Sequence, residues 1–266
     1  MITEAYQSAV DREQSIWRQS AVRNFFILLI IVAACFHVGL FDAERLYEGV
    51  PSIVELLGEM SPPDFTALTS WMKPLLDTLA MSIAGTALAI LFSTIIAFFA
   101  AKQTSPHPVL YHIARSVLNI LRSIPELIMG VIFVAAVGFG ALPGVLALGF
   151  HSIGMVGKFF AEAIEHVDPA PVEAVKSTGA TRLQVILHGV VPQVLPQLAD
   201  VAVYRWEYNF RASTVMGMVG AGGIGFELMG SLRLMNYKEV SAILFVILIM
   251  VTLVDTLGAV LRRKFK

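Results

Sequence analysis

Residues 78–101 read TLAMSIAGTALAILFSTIIAFFAA, a run of 24 residues without one charged side chain. A helix that crosses a bilayer needs about 20 mainly apolar residues, so this run is long enough to cross once. The whole chain has the same character, with 266 residues, 56% hydrophobic side chains and a mean hydropathy of +0.74. Only 15% of its residues are charged, whereas soluble domains carry about 25%. The sequence therefore predicts an all-α integral membrane protein.

About six membrane spans are predicted from the apolar runs. The third run is unusual because Arg115, Arg122 and Glu126 interrupt it. Pro125 also disfavours helical geometry at the residue before it, so we expect a bend between Arg122 and Glu126. The predicted spans are residues 24–41, 74–101, 108–139, 143–167, 183–216 and 237–261.

The basic residues predict the orientation of these spans. Three arginines lie in the leader, residues 1–23, and four basic residues lie in the tail, residues 262–266. Lysine and arginine favour the cytoplasmic side, so both termini are expected there. Residues 42–73 carry six acids and two bases, a net charge of −4, and are expected on the outside. The helical spacing of apolar residues over 45–60 predicts an amphipathic helix along the outer face.

A glycine-rich stretch matches a nucleotide-binding pattern without its context. Residues 218–228 read MVGAGGIGFEL and contain G-x-G-x-x-G. The pattern indicates a dinucleotide only between a strand and a helix, with an acid about 20 residues further on. Here a predicted membrane span precedes it, and neither of the next two acids lies at that distance. We interpret it as a turn that requires glycine for positive φ and close packing. Its glycines are Gly220, Gly222, Gly223 and Gly225.

No catalytic residue, cofactor or metal site is predicted in this chain. Cys35 is the one cysteine, and the histidines lack the H-E-x-x-H spacing of zinc ligands. Residues 152–159 approach a P-loop, but Ser152 replaces its first glycine and Phe159 replaces the magnesium-binding Ser or Thr. The chain is therefore not expected to bind ATP itself.

Residues 168–179, DPAPVEAVKSTG, predict a short capped helix between the fourth and fifth spans. Asp168 is a favourable N-cap, Pro169 suits the first helical position, and Gly179 can end the helix in a left-handed conformation. Val172 and Val175 share one face. This face suits insertion into a partner's groove. The alternative is an ordinary connecting helix.

Charged side chains within the spans mark candidate pathway positions. An ionisable group at bilayer depth costs about 2.5–3.5 kcal/mol on insertion scales, so it usually faces the bundle interior or a water-filled cavity. The groups singled out here are Arg122, Glu126, Glu207 and Arg211. A broken third span would also expose backbone N–H groups that can meet an anion.

Other readings of these polar residues stay open. The charges could simply pair with one another, for example Glu207 with Arg211 at i, i+4. Asn209 can hydrogen-bond either an oxyanion or a neighbouring helix. Arg115 and Arg205 are expected near the membrane interfaces.

Several blocks resemble one transporter family. Glu173-Ala174, Gly179 and then Pro192 are similar to the "EAA" loop of bacterial ABC-importer permeases. RSIPELI at 122–128, GFHSIGMVGKFFAEAIE at 149–165 and NFRASTVMGMVGAGGIG at 209–225 resemble the phosphonate-type permeases, whose relatives carry phosphonates and phosphite. The resemblance implies a type I importer fold, with a transmembrane permease domain over 24–261 in the bacterial inner membrane.

The resemblance also implies partners and site residues. Residues 168–179 would form a coupling helix on a separate ATPase subunit, and two such subunits would bind ATP and magnesium. An extracytoplasmic binding protein would deliver the substrate, and a second copy of the chain would complete the pathway; no nucleic acid is implied. The predicted docking residues are Val172, Glu173, Ala174, Val175 and Gly179. The predicted pathway residues are Arg211 first, Arg122 second, then Asn209, Glu126 and Ser123.

Two other classes remain as alternatives. An ion-coupled secondary transporter of a small anion would use the same intramembrane charges without a docking helix. An internal inverted repeat would favour it, and none is visible. A membrane oxidoreductase rests only on the glycine pattern. The sequence does not distinguish phosphonate from phosphite or phosphate.

Overall fold

The computed structural model describes residues 2–265, and these form helices and loops without a strand. The chain divides between Glu59 and Met60 into two compact units, which are described separately. The expectation of an all-α chain is confirmed. The helices are α1 Ile2–His37, α2 Ala43–Glu59, α3 Leu68–Ala100, α4 Pro108–Ser123, α5 Glu126–Val137, α6 Ala141–Glu165, α7 Pro169–Ser177, α8 Arg182–Val185, α9 Val191–Met216, α10 Ile224–Arg233 and α11 Tyr237–Arg263, with a π-helical turn Ile186–Val190 before α9 and a 3₁₀ turn Gly217–Val219 after it.

The first unit holds α1 and α2. The segment Ile16–His37 of α1 is long and apolar enough to cross a membrane. The chain turns at Gly39, whose φ is +76°, and the backbone N–H of Arg45 donates to Asp42 Oδ1 at 3.2 Å where α2 begins. The helix expected over 45–60 is α2, and it has no buried residue. Its apolar face is therefore unpartnered within its own unit.

The described residues contain five long apolar helices and one bent pair, which together match the six expected spans. The bent pair is α4 and α5, which meet at 88°. Ile124, the residue before Pro125, is extended, with φ −85° and ψ 120°. The bend expected between Arg122 and Glu126 is confirmed, because Pro125 forces the preceding residue out of the helical region.

Helix α6 is the centre of the second unit and packs against α3, α4, α5 and α9. Its glycines allow the close approach that membrane helices use in place of bulky interdigitation. A Cβ on Gly154 would lie 2.6 Å from the backbone nitrogen of Arg122 and 2.7 Å from the carbonyl oxygen of Leu118. A Cβ on Gly149 would meet Leu88 of α3 at 2.5 Å. Because there is no room for a side chain at these glycines, α4 and α3 pack directly against the α6 backbone.

The glycine-rich stretch is a tight turn between α9 and α10. Gly220, Gly222 and Gly223 have φ of +99°, +73° and +73°. Gly225 has no positive φ, but a Cβ there would overlap the carbonyl oxygen of Thr214 in α9. A helix precedes the turn instead of a strand, so the context that a dinucleotide site requires is missing.

We predict that Gly225→Ala destabilises the protein by about 1–3 kcal/mol, because the added methyl forces α10 away from α9. The matched control is Gly230→Ala on the same helix, where nothing lies within 4 Å of the new Cβ. That control should be neutral or slightly stabilising, since alanine favours helix over glycine. Thermal unfolding of the detergent-purified variants measures both effects. Equal melting temperatures would contradict the close packing described for Gly225.

Candidate functional site

A buried hydrogen-bonded network joins three spans of the second unit. Asn209 of α9 is fully buried; its Nδ2 donates to Thr86 Oγ1 of α3 at 2.9 Å, and its Oδ1 accepts from Ser152 Oγ of α6 at 3.0 Å. Ser152 Oγ also accepts from Arg205 Nε at 2.7 Å. Of the two roles open to Asn209, the structure shows the bond to neighbouring helices.

Arg205 is not among the pathway residues predicted from the sequence, yet it belongs to this cluster and only 5% of it is exposed. The reason is the helical register: Arg205 lies one turn before Asn209, on the face of α9 that packs against α6. The i, i+4 spacing of Arg205 and Asn209 already places both residues on one face of the helix.

Arg205 and Glu126 lie on either side of Tyr208. The guanidinium carbon of Arg205 is 4.2 Å from the centroid of the Tyr208 ring, and the Tyr208 hydroxyl donates to Glu126 Oε1 at 3.2 Å. Arg205 Nη2 and Glu126 Oε2 are both buried and have no hydrogen-bond partner among the described residues. His151 Nδ1 lies 3.1 Å from the carbonyl oxygen of Ile124 at the bend. Glu126, the first residue of α5, therefore belongs to the same cluster as Arg205 and Tyr208 of α9.

Arg211 and Glu207 each form an ion pair with another helix. Arg211 Nη1 lies 2.6 Å from Asp255 Oδ1, and Arg262 Nη1 lies 2.8 Å from Glu207 Oε2. The alternative that Glu207 pairs with Arg211 is therefore wrong, although each of the two residues does form an ion pair. Both residues turn towards α11 instead, because it packs against this side of α9 and carries complementary charges. Arg211 and Asp255 keep 43% and 46% of their side-chain surface exposed, so their face of the unit is open.

Arg122 and Ser123 lie at the end of α4, where the chain bends, and both are exposed. Ser123 Oγ donates to the carbonyl oxygen of Ile120 at 2.8 Å. Among the side chains that the structure describes, Arg122 makes no ion pair. The structure therefore joins Glu126 and Asn209 to one cluster, places Arg211 in an ion pair, and leaves Arg122 on the surface.

Helix α7 has the caps that the sequence indicates. Asp168 Oδ1 accepts from the backbone N–H of Ala170 at 2.9 Å, and Gly179 follows the helix with φ +77°. Glu173, Ala174 and Gly179 are exposed.

The apolar face of α7 is oriented differently from the expectation. Val172 packs against the core of its own unit, and a Cβ on Gly189 would lie 3.2 Å from the Val172 Cα. Val175 is also half-buried. The absent side chain at Gly189, in the π-helical turn, lets α7 lie against the chain, so the face open to a partner is polar and carries Glu173.

A cavity of about 530 Å³ adjoins α7. Its walls include Glu173 and Lys176 from α7, Gln103 and Thr104 from the loop after α3, and Arg182 from α8. Arg182 Nη2 donates to the carbonyl oxygen of Ser105 at 2.5 Å, which ties α8 to that loop. The described residues contain no group of three or more His, Cys, Asp or Glu side chains that could hold a metal ion.

Apolar spans, a bent third span and a short polar helix beside a cavity define an all-helical membrane protein. Residues 93–266 match the family described as "Binding-protein-dependent transport system inner membrane component". The chain belongs to this family of inner-membrane permeases of ABC importers.

Known relatives agree with that assignment. The chain is 68% identical over 250 residues to the phosphite transport system permease protein PtxC of Stutzerimonas stutzeri, covering 94% of this chain and 90% of that protein. It is 45% identical to the phosphate-import permease protein PhnE of Mycolicibacterium smegmatis, covering 84% of this chain and 42% of that protein. An inward-facing structure of the MetNI methionine ABC transporter superposes with a TM-score of 0.68 at 20% identity, covering 76% of this chain and 99% of that chain. The fold is that of a type I ABC-importer permease.

We predict that Arg262→Ala destabilises the protein by about 1–3 kcal/mol, because it removes the partner of the buried Glu207 carboxylate. The matched control is Arg263→Ala, which removes the same charge from the next, exposed position of α11. Melting temperatures in detergent should fall for Arg262→Ala and stay within about one degree for the control. A drop of the same size in both variants would show that the tail charge alone matters.

Proposed function

We propose that this chain is the permease subunit of an importer that carries phosphite, or a closely similar phosphorus oxyanion, across the inner membrane. The single observation that carries the proposal is the 68% identity to a phosphite permease across 94% of the chain. The buried guanidinium of Arg205 supports it, because an anion in a low-dielectric interior needs compensating positive charge.

The proposed assembly has two copies of this chain, two ATPase subunits that bind ATP and magnesium, and an extracytoplasmic binding protein. One protomer leaves the Arg211–Asp255 face of α9 and α11 half-exposed. A charged pair within spans needs protein or water beside it instead of lipid. A second copy related by a two-fold axis would cover this face and enclose a pathway. Both termini would lie in the cytoplasm.

Within that pathway, the proposed contacts are Arg211 and Arg122, with Ser123, Glu126 and Asn209 near them. Arg211 keeps open surface beside its pair with Asp255. A planar guanidinium can donate two parallel hydrogen bonds to an oxyanion, which suits Arg211 and Arg122 to this role. Asn209 would act indirectly, since its bonds to Thr86 and Ser152 hold α9 in register.

Helix α7 is the proposed coupling helix. Its polar face, with Glu173 and Ala174, is exposed, and the cavity beside it offers a recess of about 530 Å³ for a partner side chain. Gly179 ends the helix on the same surface. Val172 and Val175 would support the docking face from behind, because both are half-buried against their own chain.

We predict that Glu173→Lys lowers ATP-dependent phosphite uptake at least about tenfold, the effect of losing roughly 1.4 kcal/mol of docking free energy. The control is Ser177→Ala on the same helix, whose hydroxyl only donates to the carbonyl oxygen of Ala174 at 2.8 Å. Uptake of radiolabelled phosphite by cells that express equal amounts of each variant measures the difference.

The energy source decides between the proposal and the secondary-transporter alternative. Depletion of ATP should stop phosphite uptake, and collapse of the proton gradient at constant ATP should leave most of it. Uptake that survives ATP depletion and fails with the gradient would contradict the importer.

A further inference from the structure

Two unpartnered atoms on oppositely charged side chains lie on either side of Tyr208, where α5 meets α9. They are Nη2 of Arg205 and Oε2 of Glu126, and neither has a hydrogen-bond partner among the described residues. The phenol of Tyr208 links the two side chains: its ring lies 4.2 Å from the Arg205 guanidinium carbon, and its hydroxyl donates to Glu126 Oε1 at 3.2 Å.

This arrangement is costly as it stands. An unsatisfied buried polar atom destabilises the folded protein, and more so when the group is charged. Nearly all buried polar atoms in native proteins have a protein, water or ion partner, so these two atoms mark a place where a small polar molecule or ion can bind. Nε of Arg205 is already satisfied by Ser152 Oγ at 2.7 Å, which leaves Nη2 as the donor without an acceptor.

The neighbouring groups restrict what can fill the gap. Arg205 and Tyr208 face Glu126 from α9, and His151 approaches from α6, where its Nδ1 lies 3.1 Å from the carbonyl oxygen of Ile124. The missing partner must therefore accept a hydrogen bond on the Arg205 side. On the Glu126 side it must donate one, because an ionised carboxylate only accepts.

Tyr208 is the side chain that lies between the Arg205 guanidinium and the Glu126 carboxylate. It is half-buried, and Tyr204, one turn earlier, is exposed. The phenol already donates a hydroxyl hydrogen to the carboxylate, which is the bond that an acid hydroxyl of a ligand would make.

We propose that Arg205 and Glu126 form a binding subsite for a tetrahedral oxyanion that carries an acidic hydroxyl, with Tyr208 as its displaceable cover. This deepens, and rests on, the proposed permease function. Arg205 donates to an anionic oxygen, and Glu126 accepts the ligand's hydroxyl hydrogen. Phosphate keeps a hydroxyl at neutral pH, and the monoanion of phosphite also carries one, so both fit these requirements. Sulfate has no hydroxyl and would place an anionic oxygen against the Glu126 carboxylate.

The test is equilibrium binding of radiolabelled phosphate at pH 7 to the full-length chain in lipid nanodiscs, with sulfate as competitor. Arg205→Gln should weaken phosphate binding about ten- to a hundredfold, the range for a hydrogen bond to a charged group. Glu126→Gln should keep phosphate binding within about threefold of wild type and let sulfate compete about as well as phosphate, because an amide can donate as well as accept. Lys158→Gln, which removes a positive charge from the Lys158–Glu162 pair on α6, should change neither.

A purely structural role for these residues predicts different results. It would change stability without changing the ratio of phosphate to sulfate affinity. If Arg205→Gln fails to fold, the sulfate competition of Glu126→Gln decides alone. Unchanged discrimination in Glu126→Gln, or wild-type phosphate binding by a folded Arg205→Gln protein, would overturn the subsite. So would a wild-type chain that binds no phosphate.

The subsite and the permease function can fail separately. Phosphite uptake by cells with the wild-type chain, combined with unchanged binding in both variants, would reject the subsite and leave the importer intact. Absence of uptake by the wild-type chain would reject the function itself.

Discussion

The hydrogen bonds of Asn209 hold the second unit together. They join α9 to Thr86 of α3 and to Ser152 of α6, and all three side chains are buried. A polar group inside a bilayer has no water to bind, so helices that carry such groups must meet where the groups can pair. Thr78 extends the same seam, since its carbonyl accepts from Ser213 Oγ at 3.2 Å and its hydroxyl accepts from the N–H of Ile224 at 2.9 Å.

The register of α9 that Asn209 fixes also sets the positions of Arg205, Glu207 and Arg211. Arg205, one turn earlier, turns inward with it, while Glu207 turns towards Arg262 of α11. Arg211 lies on the open side with Asp255. The bend at Pro125 then places Glu126 against Tyr208. A structural constraint thus assembles a buried guanidinium, a carboxylate and a tyrosine that the proposed oxyanion pathway can use.

Features with a local cause were predictable from the sequence. The lengths of the apolar runs predicted six spans, and Pro125 predicted the break in the third. Asp168 and Gly179 predicted where α7 begins and ends. The partners of the charges were not predictable, because they depend on which face of one helix meets another. Arg205 and Arg211 are alike in sequence context, yet one is buried and one half-exposed. Likewise, the apolar face of α7 turned inward because Gly189, distant in sequence, leaves room for Val172.

The most direct test of the importer is ATP hydrolysis by this chain reconstituted in proteoliposomes with its ATPase subunits and binding protein. We expect the phosphite-loaded binding protein to stimulate hydrolysis several-fold over the unloaded protein, and phosphite to accumulate in the vesicles at a matching rate. Phosphite accumulation without ATP would contradict the importer. So would a rate of ATP hydrolysis that does not change when the loaded binding protein is added.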